Sequence, residues 1–97
     1  MPTHEELEQF LREFAKLTPH QKTLFLTAVR KMVEDLRRNS GFRPSLRIKA
    51  VQGYPGVFEM TWGGSGRATF HYGSEVRSGE PNIVWRRIGG HEIFGNP

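Results

Sequence analysis

Apolar residues recur at helical spacing near the start of the chain. Four of them lie at i, i+3, i+4 and i+7 and form one stripe on an otherwise charged helix: Leu7, Phe10, Leu11 and Phe14. The segment Thr3-His4-Glu5-Glu6 just before them has the spacing of a capping box, in which a Thr hydroxyl and a Glu carboxylate each satisfy a free backbone N–H. We therefore expect a first helix that begins at this segment and ends near Leu17.

A second and longer apolar stripe follows at once. Thr18 is a suitable helix cap and Pro19 suits the first helical position, while Asn39-Ser40-Gly41 is typical of a helix end. The predicted helix runs from Pro19 to about Arg38, with a stripe formed by Leu24, Phe25, Ala28, Val29, Met32, Val33 and Leu36. Because so few residues separate the two helices, we expect an antiparallel helical hairpin over residues 4–38.

The hydrophobic period changes from helical to alternating after Gly41, and turn-forming residues interrupt the alternation. The predicted strands are 46–50, 57–62, 67–72 and 82–88, within a sheet region that spans residues 45–94. Two helices followed by consecutive short strands predict an α+β fold, in which the helical hairpin packs on a four-stranded antiparallel sheet. The length of 97 residues suits a single domain, 1–97.

Alternation also predicts what each face of the sheet carries. The apolar positions should face the helices: Leu46, Ile48, Phe58, Met60, Ala68 and Phe70. The remaining positions should lie on the opposite face, which we call the far face: Arg47, Lys49, Glu59, Thr61, Arg67, Thr69 and His71. The far face is therefore expected to form an open, basic platform.

The positive charge of the chain is concentrated beyond the helices. The formal net charge is +4; seven Lys and Arg face six Asp and Glu through Ser40, and seven face four from Gly41 onward. This surplus favours an anionic partner for the sheet half of the chain, with nucleic acid as the first choice.

The composition disfavours several classes of site and location. The chain has no cysteine, which excludes disulfides, thiolate zinc sites and a cysteine nucleophile and fits a reducing compartment. No apolar run approaches the roughly 18 residues of a membrane helix, and the acidic start MPTHEELEQF differs from a signal peptide. His71, His91 and Glu92 lack the spacing of a metal site. We expect a cytoplasmic protein without a membrane segment, a metal or another cofactor.

Residues 67–94 combine arginines, histidines and aromatic residues where a plain sheet would keep one apolar and one polar face. His71 and His91 belong to the residue type that exchanges protons near neutral pH. The guanidinium of Arg67 offers a planar fork that matches two phosphate oxygens. Trp62 and Trp85 have the chemistry to stack on bases, but packing in the core is the favoured interpretation.

Three segments in this order resemble the RelE/ParE superfamily of bacterial toxins from type II toxin–antitoxin pairs: FRPSLRIKAVQGYPGVFEMTW, GRATFHYG and IVWRRIGGHEIF. The resemblance covers essentially the whole chain. It depends on LRIK after the helical hairpin, on GVFEMTW followed by an arginine that opens the next strand, and on the final IGGHEIF.

The resemblance implies a RelE-like fold and two possible activities. RelE-like members cut messenger RNA in the ribosomal decoding site by attack of the 2′-hydroxyl without a metal, whereas ParE-like members poison DNA gyrase; a cognate antitoxin silences both. By this resemblance, Arg47 and Lys49 match strand lysines of the family and Arg67 matches its phosphate-clamping arginine. His91 falls near a second family arginine, and Phe94 falls near a C-terminal tyrosine.

Residue chemistry and resemblance together give the candidate site. The catalytic candidates are Arg67, His91, His71 and Lys49, and the nucleic-acid-binding candidates are Arg47, Lys49, Arg67, Arg86 and Arg87. The favoured function is a ribosome-dependent mRNA endonuclease that inhibits translation and is neutralised by its antitoxin. The alternatives are a ParE-like gyrase inhibitor and, since Phe94 has no hydroxyl, a non-catalytic RelE-fold protein that only binds an antitoxin. Family members usually begin with an edge strand, for which Met1-Pro2 leaves no room before the first predicted helix. The sequence does not indicate an oligomeric state.

Overall fold

The fold is built on one five-stranded mixed sheet. The computed structural model describes residues 2–97, and its strands are β1 (Thr3–Glu6), β2 (Lys49–Ala50), β3 (Val57–Gly63), β4 (Gly66–Gly73) and β5 (Asn82–Gly89). They lie in the order β1-β5-β4-β3-β2, with β1 and β5 parallel and the other neighbours antiparallel. The α+β class is confirmed, and the predicted four-stranded antiparallel sheet is corrected by one parallel edge strand.

β1 occupies the segment where a helix start was predicted, so that prediction was wrong. Helix α1 spans only Glu8–Ala15, and β1 pairs with the first half of β5. The Asn82 side chain fixes this pairing, because its Oδ1 accepts from the Thr3 hydroxyl at 2.8 Å and its Nδ2 donates to a Glu5 carboxylate oxygen at 2.7 Å. The expectation that the chain leaves no room for an edge strand was also wrong, since this long-range pairing outweighs the local capping signal.

Helix α2 has the predicted bounds, Pro19–Arg38. Thr18 and Gln21 form a capping box at its start, and Asn39 ends it with a left-handed φ of 53°. Just beyond the helix, Arg43 donates to the Asp35 carboxylate at 2.8 Å from Nη2, and this hydrogen bonding lowers the pKa of Asp35. The ion pair fixes the chain where it leaves the helix for the sheet.

A tight turn replaces most of the strand predicted over residues 46–50. Pro44–Leu46 form a 3₁₀ turn, Arg47 has a left-handed φ of 49°, and only Lys49–Ala50 pair with β3. The proline at the first position of the turn fixes φ and favours the turn over a strand. Arg47 therefore does not share a strand face with Lys49, which corrects the expectation from alternation.

Both helices pack on one face of the sheet, and Phe25 of α2 joins them to it. Its ring contacts the rings of Phe10, Phe14, Trp62 and Trp85, with centroids between 5.1 and 6.3 Å apart. The buried core cluster also contains Ala28, Met32, Leu46, Met60, Ala68, Phe70, Ile83 and Ile88. The expectation that both tryptophans belong to the core is confirmed, because Trp62 is 8% exposed and Trp85 is 4% exposed.

The far face of the sheet is only partly open. A 3₁₀ turn over His91–Gly95 packs on β4 and β5, and Ile93 within it is fully buried. Thr69 on the far face of β4 is fully buried as well, while Lys49 on β2 stays exposed. The predicted open platform is therefore reduced by the C-terminal tail, residues 90–97. Within residues 2–97, neither helix has the length and apolar character needed to cross a membrane.

Candidate nucleic-acid interface

Charged and polar side chains from four strands meet on the far face because the strands are in register. Glu59 on β3 lies opposite Thr69 on β4, so its diagonal neighbours on β4 are Arg67 and His71. Diagonal neighbours on one sheet face lie about 7–8 Å apart, within reach of long side chains. On the other side of Glu59, Lys49 of β2 is its partner in register. We name this group the platform cluster: Lys49, Glu59, Arg67, His71 and Arg86.

His71 is held in its neutral form by its surroundings. Its Nδ1 lies 3.0 Å from Nη1 of Arg86. A guanidinium only donates hydrogen bonds, so Nδ1 must accept and Nε2 must carry the proton. Partial burial lowers the pKa of His71, the Arg86 charge lowers it further, and the Glu5 carboxylate opposes both. At neutral pH, His71 can therefore donate a hydrogen bond from Nε2.

Arg67 lies at the start of β4 with part of its guanidinium unused. Its Nη1 donates to the backbone oxygens of Gly64 at 3.2 Å and of Gly66 at 2.9 Å. Within residues 2–97, all hydrogen bonds of this side chain are donated by Nη1. The Nε and Nη2 groups are therefore available to donate hydrogen bonds to a ligand. The two backbone contacts hold the guanidinium next to the hairpin between β3 and β4.

His91 lies at the same end of the sheet as Arg67. Arg67 pairs with Gly89, the last residue of β5, and His91 follows two residues later at the start of the 3₁₀ turn. The exposed His91 ring packs edge-on against Phe94, with centroids 5.7 Å apart. The backbone N–H of Gly90 donates to Glu92 at 2.9 Å, which lowers the pKa of that carboxyl. Across residues 2–97, no three His, Asp or Glu side chains lie close enough together to hold a metal ion.

The two adjacent arginines of β5 have different partners. The register between β4 and β5 shifts between Thr69 and Phe70 of β4. Thr69 pairs with Arg87 and Phe70 pairs with Trp85, so Arg86 has no partner in register. Arg86 donates from Nε to the Pro97 oxygen at 3.0 Å, and Arg87 donates from Nη1 to the Asn96 oxygen at 2.7 Å. Both side chains therefore help to fix the C-terminal tail on the sheet.

Two of the sequence-predicted binding residues lie outside the platform cluster. Arg87 forms an ion pair with Glu13 of α1 at 2.8 Å, and its hydrogen bonds with this carboxylate raise the pKa of Arg87. Arg47 is exposed at the end of the 3₁₀ turn before β2. The structure thus gathers Lys49, Arg67, His71 and Arg86, with His91 near the Arg67 end.

Sequence reasoning missed two acidic residues that shape this region. Alternation placed Glu59 on the far face, where it was considered only as an ion-pair partner of Arg67; its position between Lys49 and the two β4 residues appears only from the register. The contact of Glu13 with Arg87 could not be recognised from the sequence, because the two residues lie 74 positions apart in the chain. A register shift in β5 also escaped the alternating pattern.

No protein-family model matches this sequence, and a comparison with curated protein sequences gives no match either. Solved structures do match. The Escherichia coli DinJ–YafQ toxin–antitoxin complex contains a chain that aligns with TM-score 0.63 and 10% identity, over 95% of this chain and 94% of that chain. The Methanococcus jannaschii RelB–RelE antitoxin–toxin complex gives TM-score 0.57 and 14% identity, over 94% of each chain.

A third match is the RelBE2 toxin–antitoxin complex of Mycobacterium tuberculosis, with TM-score 0.53 and 22% identity over 92% of this chain and 96% of that chain. All three alignments cover nearly the whole of both chains, so the likeness concerns the complete fold and not a shared motif. The chain therefore has the fold of the RelE and YafQ toxins.

Proposed function

We propose that this protein is the toxin of a type II toxin–antitoxin pair and acts in the cytoplasm as a ribosome-dependent mRNA endonuclease. The observation that carries the proposal is the platform cluster, in which Lys49, Arg67 and Arg86 lie on one sheet face beside His71. Three cationic side chains on one surface suit the phosphates of a nucleic acid. The sequence resemblance to RelE-like toxins, whose members cut messenger RNA, favours RNA as the substrate.

The proposed reaction needs no group from outside the chain and the RNA. The 2′-hydroxyl loses its proton to a base of the chain while its oxygen bonds to the neighbouring phosphorus, and the bond from phosphorus to the 5′-oxygen breaks. Arg67 binds the non-bridging oxygens through Nε and Nη2, where charge develops in the transition state. His71 donates from Nε2 to the phosphate without being charged itself. His91, the exposed histidine near Arg67, gives a proton to the departing 5′-oxygen.

A cognate antitoxin is the second proposed partner. The matching structures from Escherichia coli, Methanococcus jannaschii and Mycobacterium tuberculosis are complexes of a toxin with its antitoxin. A chain with the same fold is therefore expected to bind a small protein that blocks its activity. Co-expression with the reading frame next to its gene should restore the growth of cells that the free protein arrests.

Primer extension on mRNA from a translating extract tests the nuclease activity. The purified protein should produce cuts at codon boundaries, and these cuts should disappear when ribosomes are omitted. Arg67→Ala should lower the cleavage rate by about 10²–10³-fold, as loss of one preorganised donor to the transition state does. Arg77→Ala is the matched control, since it removes the same charge from an exposed loop and should leave the rate unchanged.

Two other outcomes separate this proposal from its alternatives. Intact transcripts at high protein concentration, combined with double-strand breaks trapped by gyrase, would replace the nuclease by a ParE-like gyrase inhibitor. Intact transcripts without breaks or growth arrest would leave a protein that only binds an antitoxin. Phe94 gives the last alternative its chemical basis, because its ring carries no hydroxyl for proton transfer.

A further inference from the structure

Glu59 places a carboxylate in the middle of an otherwise cationic surface. In the register of the sheet it lies between Lys49 of β2 and the diagonal pair Arg67 and His71 of β4. Its side chain is 15% exposed, so a ligand on the far face can reach it. Within residues 2–97, its one ion pair is with Lys49, at 4.0 Å between Nζ and Oε1.

This ion pair does not explain the presence of a carboxylate at this place. The Lys49 side chain is 70% exposed, and ion pairs at the surface contribute little to stability. A neutral residue at this position would leave the surface more attractive to phosphate. The negative charge of Glu59 opposes RNA binding, so its presence at this place points to a chemical step that requires a carboxylate.

The step is removal of the proton from the attacking 2′-hydroxyl. Such a base needs a free lone pair, and His71 has none in the described arrangement, because Nδ1 accepts from Arg86 and Nε2 carries a proton. Lys49, Arg67 and Arg86 are cations and cannot accept a proton. Among the members of the platform cluster, this leaves the Glu59 carboxylate.

We propose that Glu59 is the general base of the RNA cleavage proposed above, and this inference rests on that function. A Glu59 oxygen takes the proton of the 2′-hydroxyl while the 2′-oxygen bonds to phosphorus. The bond to the 5′-oxygen breaks, and the 5′-oxygen takes its proton from His91. The products are a 2′,3′-cyclic phosphate and a 5′-hydroxyl, and Glu59 then returns its proton to water.

The placement of Glu59 beside Arg67 fits the dimensions of one nucleotide. The 2′-hydroxyl and the phosphate on its neighbouring 3′-oxygen are adjacent groups, so the base and the phosphate donor must lie side by side. Diagonal neighbours across two strands, about 7–8 Å apart at their Cα atoms, bring their side-chain ends close enough for this. Base and donor lie on adjacent strands of one sheet, which holds their separation constant.

The test compares Glu59→Gln and Glu59→Asp with the wild-type chain on ribosomes programmed with a defined mRNA. Glu59→Gln should cleave about 10²–10⁴-fold more slowly, the usual contribution of a positioned base. Glu59→Asp keeps the carboxylate and should recover part of the rate. Glu8→Gln is the matched control, because it removes the same charge from an exposed position on α1 and should cleave at the wild-type rate.

Binding is measured with the same mRNA carrying a 2′-deoxy nucleotide at the cleavage position. Glu59→Gln should bind this analogue at least as tightly as the wild type, since a negative charge near the phosphate has been removed, and should unfold at the same temperature. Cleavage by Glu59→Gln within about threefold of the wild-type rate, or parallel losses of binding and thermal stability, would overturn the role of Glu59. Absence of cleavage by the wild-type chain would instead remove the proposed function and this inference with it.

Discussion

Glu13 on α1 holds the end of β5 through hydrogen bonds from the Arg87 side chain and from the Ile88 backbone. One carboxylate oxygen accepts from Arg87 Nε at 3.0 Å and from the backbone N–H of Ile88 at 3.2 Å, and the other accepts from Arg87 Nη2 at 2.8 Å. The Arg87 and Glu13 side chains are only 14% and 22% exposed. We predict that this contact, and not RNA binding, is the main contribution of Arg87.

The expected magnitude follows from this partial burial. Removing one partner of a fully buried ion pair costs about 3–5 kcal/mol, because the other charge is left without compensation. Both side chains here keep some contact with water, so Glu13→Gln and Arg87→Met should each lower the free energy of unfolding by about 2–3 kcal/mol. The double variant leaves no unpaired charge, and the coupling energy of the cycle should be about 1–2 kcal/mol.

Urea unfolding followed by tryptophan fluorescence measures the four free energies of this cycle. Trp62 and Trp85 are both buried in the core, so their emission should change on unfolding. The matched control is a second cycle on Glu8 and Arg12 of the same helix, which pair at 3.0 Å but are 86% and 62% exposed. Its coupling energy should stay below about 0.5 kcal/mol.

A coupling energy for Glu13 and Arg87 no larger than that of the control cycle would refute the reasoning from burial. The assignment of Arg87 has a separate test in the cleavage assay. Arg87→Met should cut mRNA at the wild-type rate once the folded fraction is taken into account. A large loss of cleavage in a fully folded Arg87→Met protein would place Arg87 in the RNA site after all.

Two further predictions concern the core and the platform cluster. Phe25→Ala should lower the free energy of unfolding by about 3–5 kcal/mol because its ring joins both helices to the sheet, while Val76→Ala in an exposed loop should change it by less than about 0.5 kcal/mol in the same urea assay. The imidazole of His71, followed by NMR, should titrate below the ordinary histidine pKa, and Arg86→Gln should raise the pKa of His71. Because the unfolded chain then binds the proton more readily, the free energy of unfolding should fall as the pH drops through about 6.5, and His71→Gln should reduce this fall. An unshifted His71 titration, or an unchanged midpoint for Phe25→Ala, would contradict these two predictions.

The elements with strong local signals could be predicted from the sequence. Helix α2 was placed at its observed bounds, because a proline and a capping box mark its start and an asparagine in the left-handed region marks its end. The strands over residues 57–62, 67–72 and 82–88 were found within a residue or so of β3, β4 and β5. Alternation also assigned Met60, Ala68 and Phe70 to the correct side of the sheet.

The features that sequence reasoning missed depend on contacts between distant parts of the chain. Nothing local distinguishes Thr3–Glu6 as a strand, since its polar residues fit a helix start equally well, and pairing with β5 decides the outcome. The platform cluster shows the same limit. Alternation predicted which face Arg67 and His71 share, but the Arg86 contact with His71 follows from a register shift that leaves no trace in the residue pattern.

The parallel pairing of β1 with β5 has a consequence for the synthesis of the protein. β1 leaves the ribosome well before β5, its hydrogen-bonding partner, because Thr3 and Asn82 are separated by 79 positions. Contacts of such long range form late in folding, since a large loop must close first. The nascent chain therefore cannot complete its sheet until β5 has emerged, and a protein proposed to cut mRNA on ribosomes stays incompletely folded while a ribosome is still making it.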